Sequence, residues 1–172
     1  TVHSCPLLLR WDVQTLRRGL QHPSPLLFVL ANTRALAPEA AAKRNREIVA
    51  ALEQALAAEG ISDQQFLLVS RGDSTLRGHG VLEPRVLAEE LADRFGPVHA
   101  TLHVPAFLPG GRTTVNGVHL LDGQPVHTTA FARDRSFGFS TSCLDDWLEE
   151  KSGGAISADS VLRLEGAQLD RA

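Results

Sequence analysis

The segment Ser70 to Gly80, SRGDSTLRGHG, crowds arginines, an aspartate, hydroxyls and glycines directly behind an apolar run. Arg77 has the planar fork that fits a carboxylate or phosphate, and Asp73 can accept a hydrogen bond or a proton from a hydroxyl. Gly78 and Gly80 allow backbone shapes and close approaches that a side chain would block. An anionic, hydroxylated small molecule is the ligand this chemistry fits. The plainer alternative is a charged surface turn, since loops gather Gly, Ser and Asp for turn formation alone.

The elements that must position this loop read as α/β. Leu26 to Leu30 is an apolar run suited to a buried parallel strand, followed by the polar turn Asn32-Thr33-Arg34. Pro38 and Glu39 suit a helix start, Ile48, Leu52 and Leu56 repeat every four residues, and Gly60 suits a helix end. Phe66 to Val69 reads as a second strand, Glu83 to Phe95 as a helix with Val86, Leu87, Leu91 and Phe95 inward, and Thr101 to Val104 as a third strand. Beyond the loop PAFLPGGRTT, Val115 to Leu121 and Pro125 to Thr129 flank Asp122-Gly123 as a hairpin. A short helix through Trp147 to Glu150 should follow, with Ser140 or Thr141 as cap and Gly153-Gly154 as stop, and then a weak strand and a short helix from Ile156. The expected fold is a three-layer Rossmann-like α/β domain over residues 1–172, with a mainly parallel sheet and a β-hairpin excursion. Ligands of such sheets bind outside the carboxyl ends of the strands, so the loops carrying Arg34, Asp73 with Arg77, and Arg112 should open onto one edge. Asp73 pairing with one of these arginines as a purely structural contact is the competing reading.

Composition narrows the partner. At 172 residues and 43% hydrophobic content the chain suits one globular domain, and a net charge of -3 with few aromatics argues against nucleic acid or an acidic membrane surface. Two cysteines, Cys5 and Cys143, suit neither a disulfide framework nor a zinc pattern, which makes a cytoplasmic setting the expectation. TVHSCPLLLRW lacks the basic and long apolar regions of a signal peptide, and the chain contains no methionine, so a piece of a longer protein is expected. His99 and His103 lie too far apart on a strand, ~13 Å, to share a metal, and no metal site is expected. His119 and His127 are expected at surface or edge positions, Trp11 and Trp147 in packing. Lys43 and Lys151 are expected on solvent-facing helix positions.

The runs NTRAL, SRGDSTLRGHG and PAFLPGGRTTVNGVHLLDGQPVHTTAFARD, in this order, resemble the amino-terminal domain of the four-carbon acid sugar kinases, proteins also called type III effector Hrp-dependent outer proteins. The resemblance runs from about Leu26 to about Leu148, and its most specific parts are DSTLRG at Asp73 to Gly78 and GRTTVNGVH from Gly111 to His119. It implies a domain that binds a sugar acid, partnered by a carboxyl-terminal domain that binds ATP and Mg2+, with phosphate passing to a hydroxyl of the acid. It also implies that Arg34, Ser74, Thr75, Arg77, Gly78, Gly111 and Arg112 line the acceptor site and that Asp73 acts on the hydroxyl; Asp134, in FARD, matches a family aspartate without an assigned role. The family's opening acidic ADDLTGA-like loop has no counterpart in Thr1 to Gln21, His79 replaces a common Asn, and Asn32-Thr33-Arg34 replaces the usual Ser-Arg ending. No GxxxxGK[ST] run is present, so the ATP domain is expected to be missing and this piece is expected to be inactive alone. A homodimer is a further expectation. Two other functions compete: a regulatory or effector domain that keeps only the acid pocket, and an adhesion module reading Arg71-Gly72-Asp73.

Overall fold

The computed structural model describes residues 4–62 and 66–164, without the side chains of Arg94 and Phe95. The chain forms two compact units, one from Thr1–Arg71 with Leu82–Thr101 and one from Gly72–Val81 with Leu102–Ala172.

The first unit contains strand β1 (Leu7–Leu8), helix α1 (Val13–Leu20), strand β2 (Phe28–Val29), helix α2 (Pro38–Glu59) and helix α3 (Leu82–Phe95). The strands β1 and β2 pair in parallel, Leu7 opposite Phe28 and Leu8 opposite Val29, so Leu7 to Val29 form a small βαβ unit. Asp12 starts α1 by accepting the Thr15 N–H at 3.0 Å. Gly19 lets α1 approach the strands closely: a β-carbon there would lie 2.9 Å from Leu27 Cδ1 and 3.0 Å from Leu8 Cδ1. Leu16 of α1 meets Leu52, Ala55 and Leu56 of α2 in the core. Arg17 and Gln21 both reach Glu59, Arg17 Nε at 2.7 Å, and fasten the far ends of the two helices.

Both long helices lie where the apolar periodicity puts them. Pro38 opens α2 and Gly60, at φ 68°, closes it in the left-handed conformation that glycine adopts without strain. Val86 is buried at 1% exposure, Leu87 and Leu91 are half-buried, and the side chain of Phe95 lies outside the described residues. Arg46 on α2 pairs with Glu89 and Glu90 on α3 at 3.9 and 3.0 Å.

The mixed α/β class holds, but the parallel component is small. Among the described residues it is the β1–β2 pair, and Phe66–Val69 and Thr101–Val104 join no ladder. Phe66 and Leu68 rest against the α1–α2 core, whereas Leu67 and Val69 are 85% and 61% exposed. The run therefore has one buried face and is not the fully buried strand expected from its composition. Leu102 and Val104 are likewise exposed, and Pro97 and Pro105 remove backbone donors at both ends of that segment.

The second unit contains strands β3 (Arg112–Val115), β4 (Val118–Leu121) and β5 (Gln124–Pro125), antiparallel in that order, and helix α4 (Leu144–Ser152). Two tight turns set the register. Asn116 and Gly117 have φ of 51° and 78°, Asp122 and Gly123 of 50° and 77°, which are the paired positive angles of type I′ turns. The expected hairpin at Asp122-Gly123 is present, but Val115 to Leu121 is itself folded into β3, a turn and β4, and Arg112 begins a strand where a loop was expected. After β5 the chain enters 3-10 turns at Val126–Thr128 and Ala130–Arg133. Cys143, and not Ser140 or Thr141, stands at the start of α4, while Thr141 Oγ1 accepts the Cys143 N–H; Gly153 ends the helix at φ 63°. The expected strand after Ile156 is replaced by a 3-10 turn at Ala158–Ser160, residues 161–164 join no strand, and the tail from 165 onward lies outside the described residues.

Leu76, Val126, Ala132, Phe139 and Trp147 make the core of this unit. Trp147, 1% exposed, occupies the space beneath Gly80, where a β-carbon would come within 2.9 Å of the indole. The close approach that Gly80 permits is thus made by a core side chain. His103 stacks on the same indole at 5.3 Å between ring centroids.

Candidate functional site

The DSTLRG segment is a turn held by its own side chains. The Leu76 N–H donates to the Asp73 carbonyl at 3.1 Å, closing four residues into a β-turn. Asp73 Oδ1 accepts the Thr75 N–H at 2.9 Å and the Thr75 hydroxyl at 2.7 Å. Its other oxygen accepts Arg77 Nη2–H at 3.0 Å, and Arg77 Nε–H donates to Thr75 Oγ1 at 2.9 Å. Thr75 is therefore a buried connector, 2% exposed, between the acid and the base.

Beneath the turn sits Leu76, 2% exposed with a φ of 64°. A leucine in the left-handed region is strained by roughly 1–2 kcal/mol. Burial of its side chain, worth about 1.5–3 kcal/mol, offsets that cost. This inward anchor leaves Asp73, Ser74 and Arg77 around the turn's outer side, and Gly78, at φ 98°, turns the chain away in a conformation that suits glycine.

Arg77 is fully engaged by the protein. Besides Thr75 and Asp73, its Nη1 lies 3.7 Å from Asp134 Oδ2, and its guanidinium stacks 4.6 Å above the ring centre of Phe131. Asp134 has a structural job, since its Oδ1 accepts the N–H groups of Ser136 and Phe137 at 2.9 and 3.0 Å. The same arrangement turns the Asp73 carboxylate into its own loop, with a side chain only 17% exposed, which disfavours recognition of Arg71-Gly72-Asp73 as an adhesion tripeptide.

Arg112 is placed differently. Phe107 and Arg112 exchange backbone hydrogen bonds, both 3.0 Å, across the tight Leu108–Gly110 turn. Gly110 and Gly111 are required by packing: a β-carbon on Gly110 would overlap Arg112 and Phe107, and one on Gly111, at φ 71°, would overlap the Asp122 carboxylate. The Arg112 guanidinium lies 5.8 Å from the Phe107 ring centre and 5.9 Å from that of Phe131. Its Nε is buried and has no acceptor among the described residues. A buried guanidinium N–H without an acceptor is costly, and the residue as a whole is half-buried. The Ser74 hydroxyl also has no partner among the described residues. Phe131, which both arginines approach, has no signal in the linear sequence beyond its place three residues before Asp134.

Arg34 belongs to the first unit, where it is exposed on the 3-10 turn Thr33–Ala35 that follows β2. The carbonyl of Ala31, just before that turn, accepts Arg44 Nη1–H at 2.9 Å, and Arg44 stacks over Trp11 at 5.5 Å.

His119 is not at the surface, as its sequence position suggested, but fully buried at 0% exposure. It pairs directly with Thr114 across the β3–β4 ladder. Its Nδ1 lies 3.0 Å from Thr114 Oγ1 and its Nε2 lies 2.7 Å from the Ser74 carbonyl. Burial holds the imidazole below its ordinary value of 6.5, the Ser74 carbonyl opposes this, and the Arg112 charge adds to it. Burial, then His119, lowers His103 in the same way. Since both imidazoles bind protons more weakly folded than unfolded, the unfolded chain gains protons first as the pH falls below about 6.5. Stability should be full above that pH and decline below it, ahead of the carboxylates. A thermal midpoint that falls between pH 7.5 and 5.5 is the expected observation, and a flat profile over that range would contradict it.

Comparison with known proteins now identifies the architecture. A family model described as the sugar-binding N-terminal domain matches residues 3–172. The chain belongs to this sugar-binding N-terminal domain family. As a sugar-binding domain it is also similar to a D-erythronate kinase of Heliobacterium modesticaldum, 33% identical over 109 residues. That match covers 63% of this chain and 22% of the kinase, so the matched part of the chain spans about a fifth of that relative's length. These findings bear out the resemblance to the amino-terminal domain of the four-carbon acid sugar kinases.

No three His, Cys, Asp or Glu side chains come together among the described residues. Lys43 faces Glu47 at 4.0 Å, and Lys151, half-buried and not solvent-facing, bonds the Gly138 carbonyl and Glu150. No described helix is long and apolar enough to cross a membrane.

Proposed function

We propose that this domain binds the acceptor substrate of an ATP-dependent kinase that phosphorylates a four-carbon sugar acid of the tetronate or 3-oxo-tetronate type. The observation that carries the reading is the contrast between its two arginines: Arg77 is bound by Asp73, Thr75 and Asp134, whereas the buried Nε of Arg112 has no acceptor among the described residues. Arg112 receives the carboxylate of the acid. Phe107 and Phe131 hold its fork and exclude water from one side, which strengthens the charge-assisted contact. Arg77 supports the turn and keeps the Asp73 carboxylate oriented. Ser74 and Asp73 take the hydroxyls of the acid, and Asp73 orients the hydroxyl that attacks and receives its proton. The backbone at Gly78 gives the acid close access, while the space beside Gly111 is taken by the Asp122 carboxylate. Likeness to a D-erythronate kinase supports D-erythronate as the first acid to test.

In this family ATP brings the phosphoryl group, and the catalytic burden on the present residues is positioning and charge neutralisation. Nucleotide and Mg2+ are assigned to a carboxyl-terminal partner domain, and the setting is the cytoplasm. Incubating D-erythronate and ATP with this domain, with and without a separately expressed nucleotide-binding domain of such a kinase, tests the reading. Phosphorylated acid formed only in the combined sample is expected. Acid binding without any product would favour the regulatory alternative.

A further inference from the structure

We infer that His119 is a positioning residue that registers the Asp73–Arg77 turn against the strand bearing Arg112, an inference that rests on the acid-binding reading above. The bonding fixes its tautomer. A carbonyl oxygen can only accept, so the Nε2 that lies 2.7 Å from the Ser74 carbonyl carries the proton and donates it. In the neutral ring Nδ1 is then an acceptor, and Thr114 Oγ1–H donates to it at 3.0 Å.

The two partners lie on the two walls of the proposed site. Thr114 stands two residues from Arg112 on β3, and Ser74 lies between Asp73 and Thr75. His119, in direct register with Thr114 and closed off from water, spans the gap between them. Its own backbone is held from another direction, the His119 N–H donating to the Ser142 carbonyl at 2.8 Å. The ring can neither rotate away nor exchange its partners for water, so the separation of Asp73 and Ser74 from Arg112 is set by one imidazole. A ligand that reaches from Arg112 to Ser74 feels that separation directly.

Glutamine and asparagine divide the two bonds. The amide nitrogen of glutamine reaches about as far as Nε2 and can donate to Ser74; that of asparagine matches Nδ1 and leaves the Ser74 carbonyl without a donor. In the free domain, nitrogen NMR should find His119 in the Nε2-protonated form, and hydrogen exchange at the Thr75 and Leu76 amides should be slow in wild type, intermediate in H119Q and fast in H119N. Calorimetry with D-erythronate should rank affinity in the same order, with H119N about tenfold weaker than wild type, the value of one buried hydrogen bond. An Nδ1-protonated ring, or equal exchange in H119N and wild type, overturns the proposal. So does faster exchange in H119N with wild-type affinity, since the bond would then serve only the fold. If wild type does not bind D-erythronate, the acid-binding reading fails, and tautomer and exchange alone decide whether His119 locks the turn.

Discussion

Replacing Arg112 with lysine should weaken D-erythronate binding by about 100-fold while leaving the thermal midpoint of the domain nearly unchanged. The planar fork is the reason for the large loss. Lysine has no donor at the Nε position and no planar fork, so it forfeits at least one charge-assisted hydrogen bond, worth about 1.5–3 kcal/mol, and the stacking over Phe107 and Phe131. The small stability cost follows from the same geometry, because no hydrogen bond or ion pair of the guanidinium to the described residues is lost. Calorimetric titration with a parallel thermal melt reads both quantities. Wild-type affinity in R112K would move the carboxylate to another group.

The Asp73→Asn variant should abolish phosphoryl transfer in a complete two-domain enzyme and weaken acid binding by about tenfold in this domain. Asparagine keeps one carbonyl oxygen, enough to accept from Thr75, but sets an N–H against Arg77 Nη2, where Asp73 accepts a 3.0 Å bond. Arg77 loses that acceptor and the turn loses the link between its first and fifth residues. The proposed site loses the carboxylate that would receive the hydroxyl proton, and an amide cannot take that role. The fold should survive, since Leu76 still anchors the turn in the core formed with Trp147 and Phe139. Unaltered circular dichroism with no turnover is the expected result, and full turnover would remove Asp73 from the chemistry.

What was legible in the sequence had its causes close together along the chain. The start and end of α2 follow from Pro38 and Gly60, its buried stripe from the spacing of Ile48, Leu52 and Leu56, and the turn at Asp122-Gly123 from two residues that tolerate positive φ. Asn116-Gly117 carried the same signal, and recognising it would have split the segment ending at Leu121 into two strands. The Asp12 cap and the Leu16–Leu20 spacing of α1 are likewise local signals, present within Thr1 to Gln21.

Less legible were the features set by distant partners. Phe66–Val69 and Thr101–Val104 have the composition of buried strands, but a strand is made by its neighbours, and the exposed faces of Leu67 and Leu102 show that composition alone did not determine the environment. The burial of His119 depends on a contact with Ser74 across 45 positions, which no local pattern encodes. Within the DSTLRG turn, residue types pointed correctly to an acid and a base in close proximity. That Arg77 is engaged within the protein depended also on Asp134 and Phe131, whose approach is decided by tertiary packing.

The central claim is that Arg112 and the Asp73 turn read a carboxylate and a hydroxyl on one small molecule. Titrating the domain with D-erythronate and with erythritol, which keeps the four-carbon chain and carries a fourth hydroxyl in place of the carboxylate, tests this most directly. Heat on adding D-erythronate, its loss in R112K, and none with erythritol are predicted; equal binding of both compounds, or no binding of D-erythronate, would contradict the account.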